Sequence, residues 1–171
     1  MIEHRLIERV IRLWRKELES ITSSAKVDLN FVGFALDFMR TYSDRCHHGK
    51  EEDILFRVLE QKPLPEPLKR ILAELVEEHN LARSIVAVIA EAREKYAAGD
   101  RKALDTMARA IADITRLYPP HIQKEDKQFF LPAMEYLSKQ EKDDMLADFQ
   151  TFDQALIHEK YRAAVAGMER T

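Results

Sequence analysis

Two short stretches of the chain carry the same side chains in the same register. "HHGKEEDILF" begins at His47 and "HIQKEDKQFF" at His121, and both read His-x-x-Lys-Glu-acid-x-x-apolar-Phe. Two further stretches pair likewise, "EHRLIERVI" from Glu3 and "EHNLARSIV" from Glu78. His4 precedes His47 by 43 residues, and His79 precedes His121 by 42. The chain therefore reads as two copies of one unit, each offering a single His and then His-x-x-x-Glu. Residues i and i+4 share a helical face, so His47 with Glu51, and His121 with Glu125, can grip one object. Imidazole nitrogens mixed with carboxylate oxygens suit iron, manganese or zinc rather than a thiolate-seeking metal. Four histidines and two carboxylates on facing helices are a way for a bundle to hold a pair of ions, with the carboxylates bridging them.

To converge, these side chains must lie on the apolar stripes of their helices. His4 heads Ile7, Ile11, Trp14, Leu18 and Ile21, and His79 sits among Leu68, Leu72, Leu75, Ala82 and Val86. His121 follows Met107, Ile111, Ile114 and Tyr118. His47 follows Val32, Leu36, Met39 and Ser43 and precedes Ile54 and Val58. The same steps back from His48 meet Asp44, Thr41 and Asp37, a wet face. His47 and Glu51 are therefore expected to point inward, with His48 and Glu52 on the surface or behind the ligands.

The elements that carry the stripes are five helices. The first runs from about Ile2 to Ile21, and the second from Leu29 to Leu59 with Asp28 as N-cap. The third starts near Pro67 and stops at Gly99. The fourth starts near Arg101 and runs to about Tyr136, with a kink or restart expected at Pro119 and Pro120. "SKQE" at Ser138 is a capping box that opens a fifth. The expected fold is all-α: an up-down-up-down four-helix bundle over residues 1–136, with residues 137–171 an additional C-terminal helix packed on the same domain.

Composition narrows the function. At 171 residues, 46% hydrophobic and 33% charged, the chain suits one compact domain with a core. A net charge of −3 gives no electrostatic case for nucleic-acid binding. No run of ~18 apolar residues exists to span a membrane. Charges interrupt the N-terminal stretch, so no signal peptide is expected. The single cysteine, Cys46, excludes an internal disulfide and points to the cytoplasm. None of the six histidines has Glu three positions before it, so the Glu-x-x-His of ferritin-like proteins is absent.

The order His, His-x-x-x-Glu, His, His-x-x-x-Glu resembles the hemerythrin-like (HHE cation-binding) domain family over about Glu3 to Met134. The resemblance implies a non-heme di-iron centre inside a four-helix bundle, with zinc or manganese as alternatives. Metal roles would carry onto His4, His47, Glu51, His79, His121 and Glu125. From its own position, one turn before His121, Tyr118 is expected either to hydrogen-bond behind the ligands, as His48 could, or to be a core tyrosine. The implied partner is a small ligand, namely O2, nitric oxide or peroxide, which the protein senses, binds or reacts with. Oxygen carriers of the family have a second His one turn from the third-helix ligand. Here the positions four away from His79 are Leu75 and Arg83, so one iron is an imidazole short unless His48, another residue or water supplies it. Their last carboxylate is Asp at +5, where this chain has Glu at +4. Both departures argue against stable O2 carriage. The alternatives are a di-iron oxidase or peroxidase, for which no substrate route is legible, and a structural or storage bundle for zinc or iron. No protein partner is legible either. Cys46 is expected to be a small buried residue, His158 structural or on the surface, and Phe129, Phe130, Phe149 and Phe152 in the core.

Overall fold

The computed structural model describes residues 2–153 and 155–170, excepting the side chains of 155–157 and 159. Six helices and no strand are found among the described residues. Helix α1 is Ile2–Ser24. Helix α2 is one composite rod over residues 29–59: an α-helical start (Leu29–Phe38), two π-helical stretches (Met39–His48 and Glu51–Phe56) and a closing α turn (Arg57–Leu59). Helix α3 is Glu66–Ala97. Helix α4, over residues 103–134, is α-helical through Ala103–Lys124, π-helical through Glu125–Phe129 and α-helical again through Phe130–Met134. Helices α5 (Lys139–Phe152) and α6 (Ala155–Met168) follow.

Local chemistry sets the ends. The Asp28 side chain accepts from the N–H groups of Asn30 and Phe31, an N-cap that satisfies donors the first turn leaves open. Gly99 stops α3 with φ +101°, a backbone region that favours glycine. Ser138 and Glu141 form a reciprocal capping box at the start of α5. Pro119 and Pro120 do not restart α4, which runs on as one helix through both. Both are exposed, and the Thr115 carbonyl, deprived of the Pro119 N–H, accepts from the Arg15 guanidinium at 3.2 Å instead.

Two apolar clusters fill the bundle. One gathers Trp14, Phe31 and Phe38 with Ile89, Met107 and Ile111. The other gathers Leu55 and Phe56 with Leu72, Leu75, Phe129 and Phe130. Along α2 the first cluster comes before His47 and the second after Glu51; along α3 the order around His79 is reversed. That reversal is the antiparallel bundle, and it leaves the polar layer sandwiched between two dry ends. Burying a side chain such as Trp14 or Phe129 contributes on the order of 3 kcal/mol, so the two ends hold the helices in register around the layer.

The C-terminal part departs from the expected single helix. The backbone is extended at Asp153, which ends α5, and α6 then sends Tyr161 and Val165 into the first cluster. Phe129 and Phe130 are in the core as expected, but Phe149 is half-buried and Phe152 exposed, because α5 packs on the bundle over only one narrow face, with Met145 its buried residue.

Candidate metal centre

His4, His47, Glu51, His79, His121 and Glu125 are all buried, and their ligand atoms meet in the layer between the clusters. One group comprises His4, His47, Glu51 and Glu125; the other comprises His48, His79 and His121. His48 is thus no surface residue. It is 1% exposed, and its ring stacks on His79 with centroids 3.8 Å apart and planes 10° from parallel. The correction has a local cause. Met39–His48 is π-helical, and an i→i+5 turn holds more residues than an α turn. Buried residues there come in adjacent pairs (Phe38 and Met39, Tyr42 and Ser43) and end in the run Cys46, His47, His48. Both histidines therefore face inward. The same shift moves the downstream stripe from the expected Ile54 and Val58 to Leu55, Phe56 and Leu59.

Each carboxylate spans the two groups. Glu125 Oε2 lies 3.1 Å from His4 Nε2, and its Oε1 lies 3.3 Å from His121 Nε2. Glu51 Oε1 lies 3.5 Å from His47 Nε2, and its Oε2 lies 3.5 Å from His79 Nε2.

Behind four of the rings stands a carboxylate that fixes the tautomer. His4 Nδ1 meets Asp126 at 2.9 Å, His47 Nδ1 meets Glu3 at 2.9 Å, His79 Nδ1 meets Glu52 at 2.6 Å, and His121 Nδ1 meets Glu78 at 2.8 Å. Burial opposes ionisation of Glu3, Glu52 and Glu78, but hydrogen bonds from these imidazoles and from a basic residue outweigh it. Glu3 falls to about 2. Ionised carboxylates accept, so the Nδ1–H groups donate and each Nε2 lone pair is left facing the layer. The basic residues are Lys50 on Glu3, Arg5 on Asp126, Arg83 on Glu52 and Lys124 on Glu78. The doubled motif thereby accounts for itself. In each copy the Glu before the first His accepts from the second His, the motif Lys holds that Glu, and the acid after the inward Glu accepts from the other copy's first His. Sequence reasoning left Glu3, Lys50, Glu78, Lys124 and Asp126 without a role, although their recurrence was the available signal. Of the two positions four away from His79, Leu75 is buried in the apolar core and Arg83 bridges Asp44 and Glu52.

Whether these residues fit a metal can be judged from what they lack. Both oxygens of Glu51 and of Glu125, both nitrogens of His48, and Nε2 of His79 and His121 are buried without a hydrogen-bond partner. Each such atom costs about 1–3 kcal/mol. His4 and His47 bring their Nε2 atoms to 3.0 Å, two lone pairs that only a proton or cation between them reconciles. Burial and the Glu125 charge push the Glu51 carboxyl well above the usual range, whereas the imidazoles of His4 and His79 hold Glu125 well below it despite burial. Burial lowers His47, and burial with the neighbouring imidazoles lowers His48 strongly. These are the neutral nitrogens and converging oxygens that a cation pair would satisfy.

The remaining candidates lie at the margin. The Tyr118 hydroxyl is bonded to Ser43 at 2.8 Å, with its ring 6.0 Å from that of His121. Cys46 is buried and belongs to neither group. His158 bonds the Tyr42 hydroxyl at 2.9 Å and Asp153 at 2.7 Å, on the outer side of Glu3.

Comparison with known proteins agrees with this geometry. The hemerythrin HHE cation-binding domain matches residues 1–131. An uncharacterized protein of Mycobacterium tuberculosis and one of Mycobacterium bovis are each 25% identical over 150 residues, covering 88% of this chain. The chain spans 58% of the length of these relatives. No solved structure matches it significantly.

Proposed function

The chain belongs to the hemerythrin HHE cation-binding domain family, and from that premise we propose that its buried layer holds a non-heme di-iron centre that senses, binds or reacts with O2, nitric oxide or peroxide. The observation that carries the reading is the set of partnerless buried atoms on Glu51, Glu125, His48, His79 and His121, all aimed at one layer. His4, His47, Glu51 and Glu125 would hold one ion, and His48, His79 and His121 the other, with both carboxylates shared. When bound, iron supplies redox exchange with a small oxidant. The protein's part is to keep the Nε2 lone pairs available through the four carboxylates, to keep Glu51 and Glu125 apart from water, and to give a small ligand room. A cavity of about 300 Å³, with His48, Met39, Ala82, Val86 and Tyr118 in its wall, offers that room beside the second group.

No helix of the described residues is long and apolar enough to cross a membrane, and a reducing cytoplasm is the proposed location. The test is metal analysis of protein purified without chelator, with optical spectra before and after oxygen exposure. About two irons per chain and an oxygen-dependent spectrum are expected. Zinc alone, with no response to oxygen, would favour the structural reading instead.

A further inference from the structure

A cavity of about 1010 Å³ opens on the other side of the layer, between the bundle and helices α5 and α6. It is at the upper end of the ~300–1,000 Å³ range of small-molecule sites, and far larger than a diatomic ligand needs. Its wall has three parts. The first is apolar: Leu55, Phe130, Met134 and Phe149, with Leu131 and Leu146 exposed at the rim. The second is the edge of the candidate centre, His47 and Glu51. The third is a charged end on Glu3, Lys50, Asp153, His158 and Arg162, and the Asp126 carboxylate, paired with Arg5, also lines the wall.

The charges at that end are unequal in what they leave free. Lys50 is committed to Glu3 and to Asp153, the latter at 2.6 Å. Asp153 also takes His158 at 2.7 Å. Glu3 is shared between Lys50 and His47. Arg162 has neither ion pair nor hydrogen bond among the described residues. An apolar wall with a guanidinium uncommitted among the described residues complements a molecule with an apolar body and a single negative head.

We infer that this cavity is a binding site for a small amphipathic monocarboxylate, its head paired with Arg162 and its body along the apolar wall. That the occupant lies beside a metal rests on the proposed di-iron centre; the binding itself does not. The site supplies the substrate route that an oxidase or peroxidase reading requires.

The test is calorimetric titration of the full chain, metal-free and metal-loaded, with octanoate, octanol and octylamine as probes. Octanoate is expected to bind one to one and most tightly. Arg162→Gln should weaken octanoate about tenfold and leave octanol unchanged. Leu146→Asp at the rim should weaken octanoate and octanol together. Equal binding of all three probes, indifference of octanoate to Arg162→Gln, or no saturable binding would each overturn the inference. Metal content measured on the same samples separates the two readings. Octanoate binding by a chain that takes up no iron would sink the metal centre and leave the cavity site standing.

Discussion

The ring of His48 lies flat against that of His79, 3.8 Å away, although the two come from different helices. Arg83, four residues after His79, bridges Asp44 and Glu52, and the second helix brings the His48 ring to His79 from its π turn. The layer thus presents five histidines and two glutamates rather than four and two.

Metal occupancy should depend on His48 as much as on His47. His47→Ala and His48→Ala are each expected to lose about one iron per chain, read by metal analysis after gel filtration, while His158→Ala keeps the full complement. Full occupancy in His48→Ala would return that residue to a bystander's role and restore the argument against O2 carriage.

The carboxylates behind the rings should tune affinity without setting the fold. Glu78→Gln removes the ionised acceptor of His121 Nδ1 and leaves Lys124 to Glu74 alone. Iron affinity is expected to drop by about 10–100-fold, measured by competition with a chelator. Circular dichroism should stay helical. An unchanged affinity would mean that His121 is oriented by packing alone.

Iron should stabilise the native state by mass action, because the layer exists only when the helices are assembled. Iron at a hundredfold above its dissociation constant adds about 2.7 kcal/mol, hence roughly 5–11 °C in melting temperature for a chain of this size. Two bound irons with no change in melting would show that the site is not part of the packed core.

Glu3 should make the fold acid-sensitive. Its pKa drops from an ordinary 4.5 to about 2 in the folded protein, since His47 and Lys50 outweigh burial. A depressed carboxylate contributes its stability in full above about pH 4.5 and loses it as pH falls toward 2, with an upper bound on the order of 3 kcal/mol. Glu3→Gln is expected to be less stable at pH 7 and to show a flatter pH dependence across that window in urea titrations. A parallel slope in wild type and variant would remove Glu3 from the account.

The apolar stripes and the doubled motif were enough to place His4, His47, Glu51, His79, His121 and Glu125 inside an all-α bundle. This worked because α-helical period and burial are local consequences of residue order. Caps at Asp28 and Ser138 and the stop at Gly99 were legible for the same reason. What only the tertiary structure decided lies where the helix changes its hydrogen-bond register. The π turns at Met39–His48 and Glu51–Phe56 turn His48, Leu55 and Phe56 inward, and no pattern written at 3.6 residues per turn contains that shift. The partners of Glu3 and Glu78 lie 44 and 43 residues away in sequence, so their roles emerge only when helices meet. The break at Asp153, and the cavity it leaves between α5, α6 and the bundle, depend on how two weakly buried helices rest on a finished core.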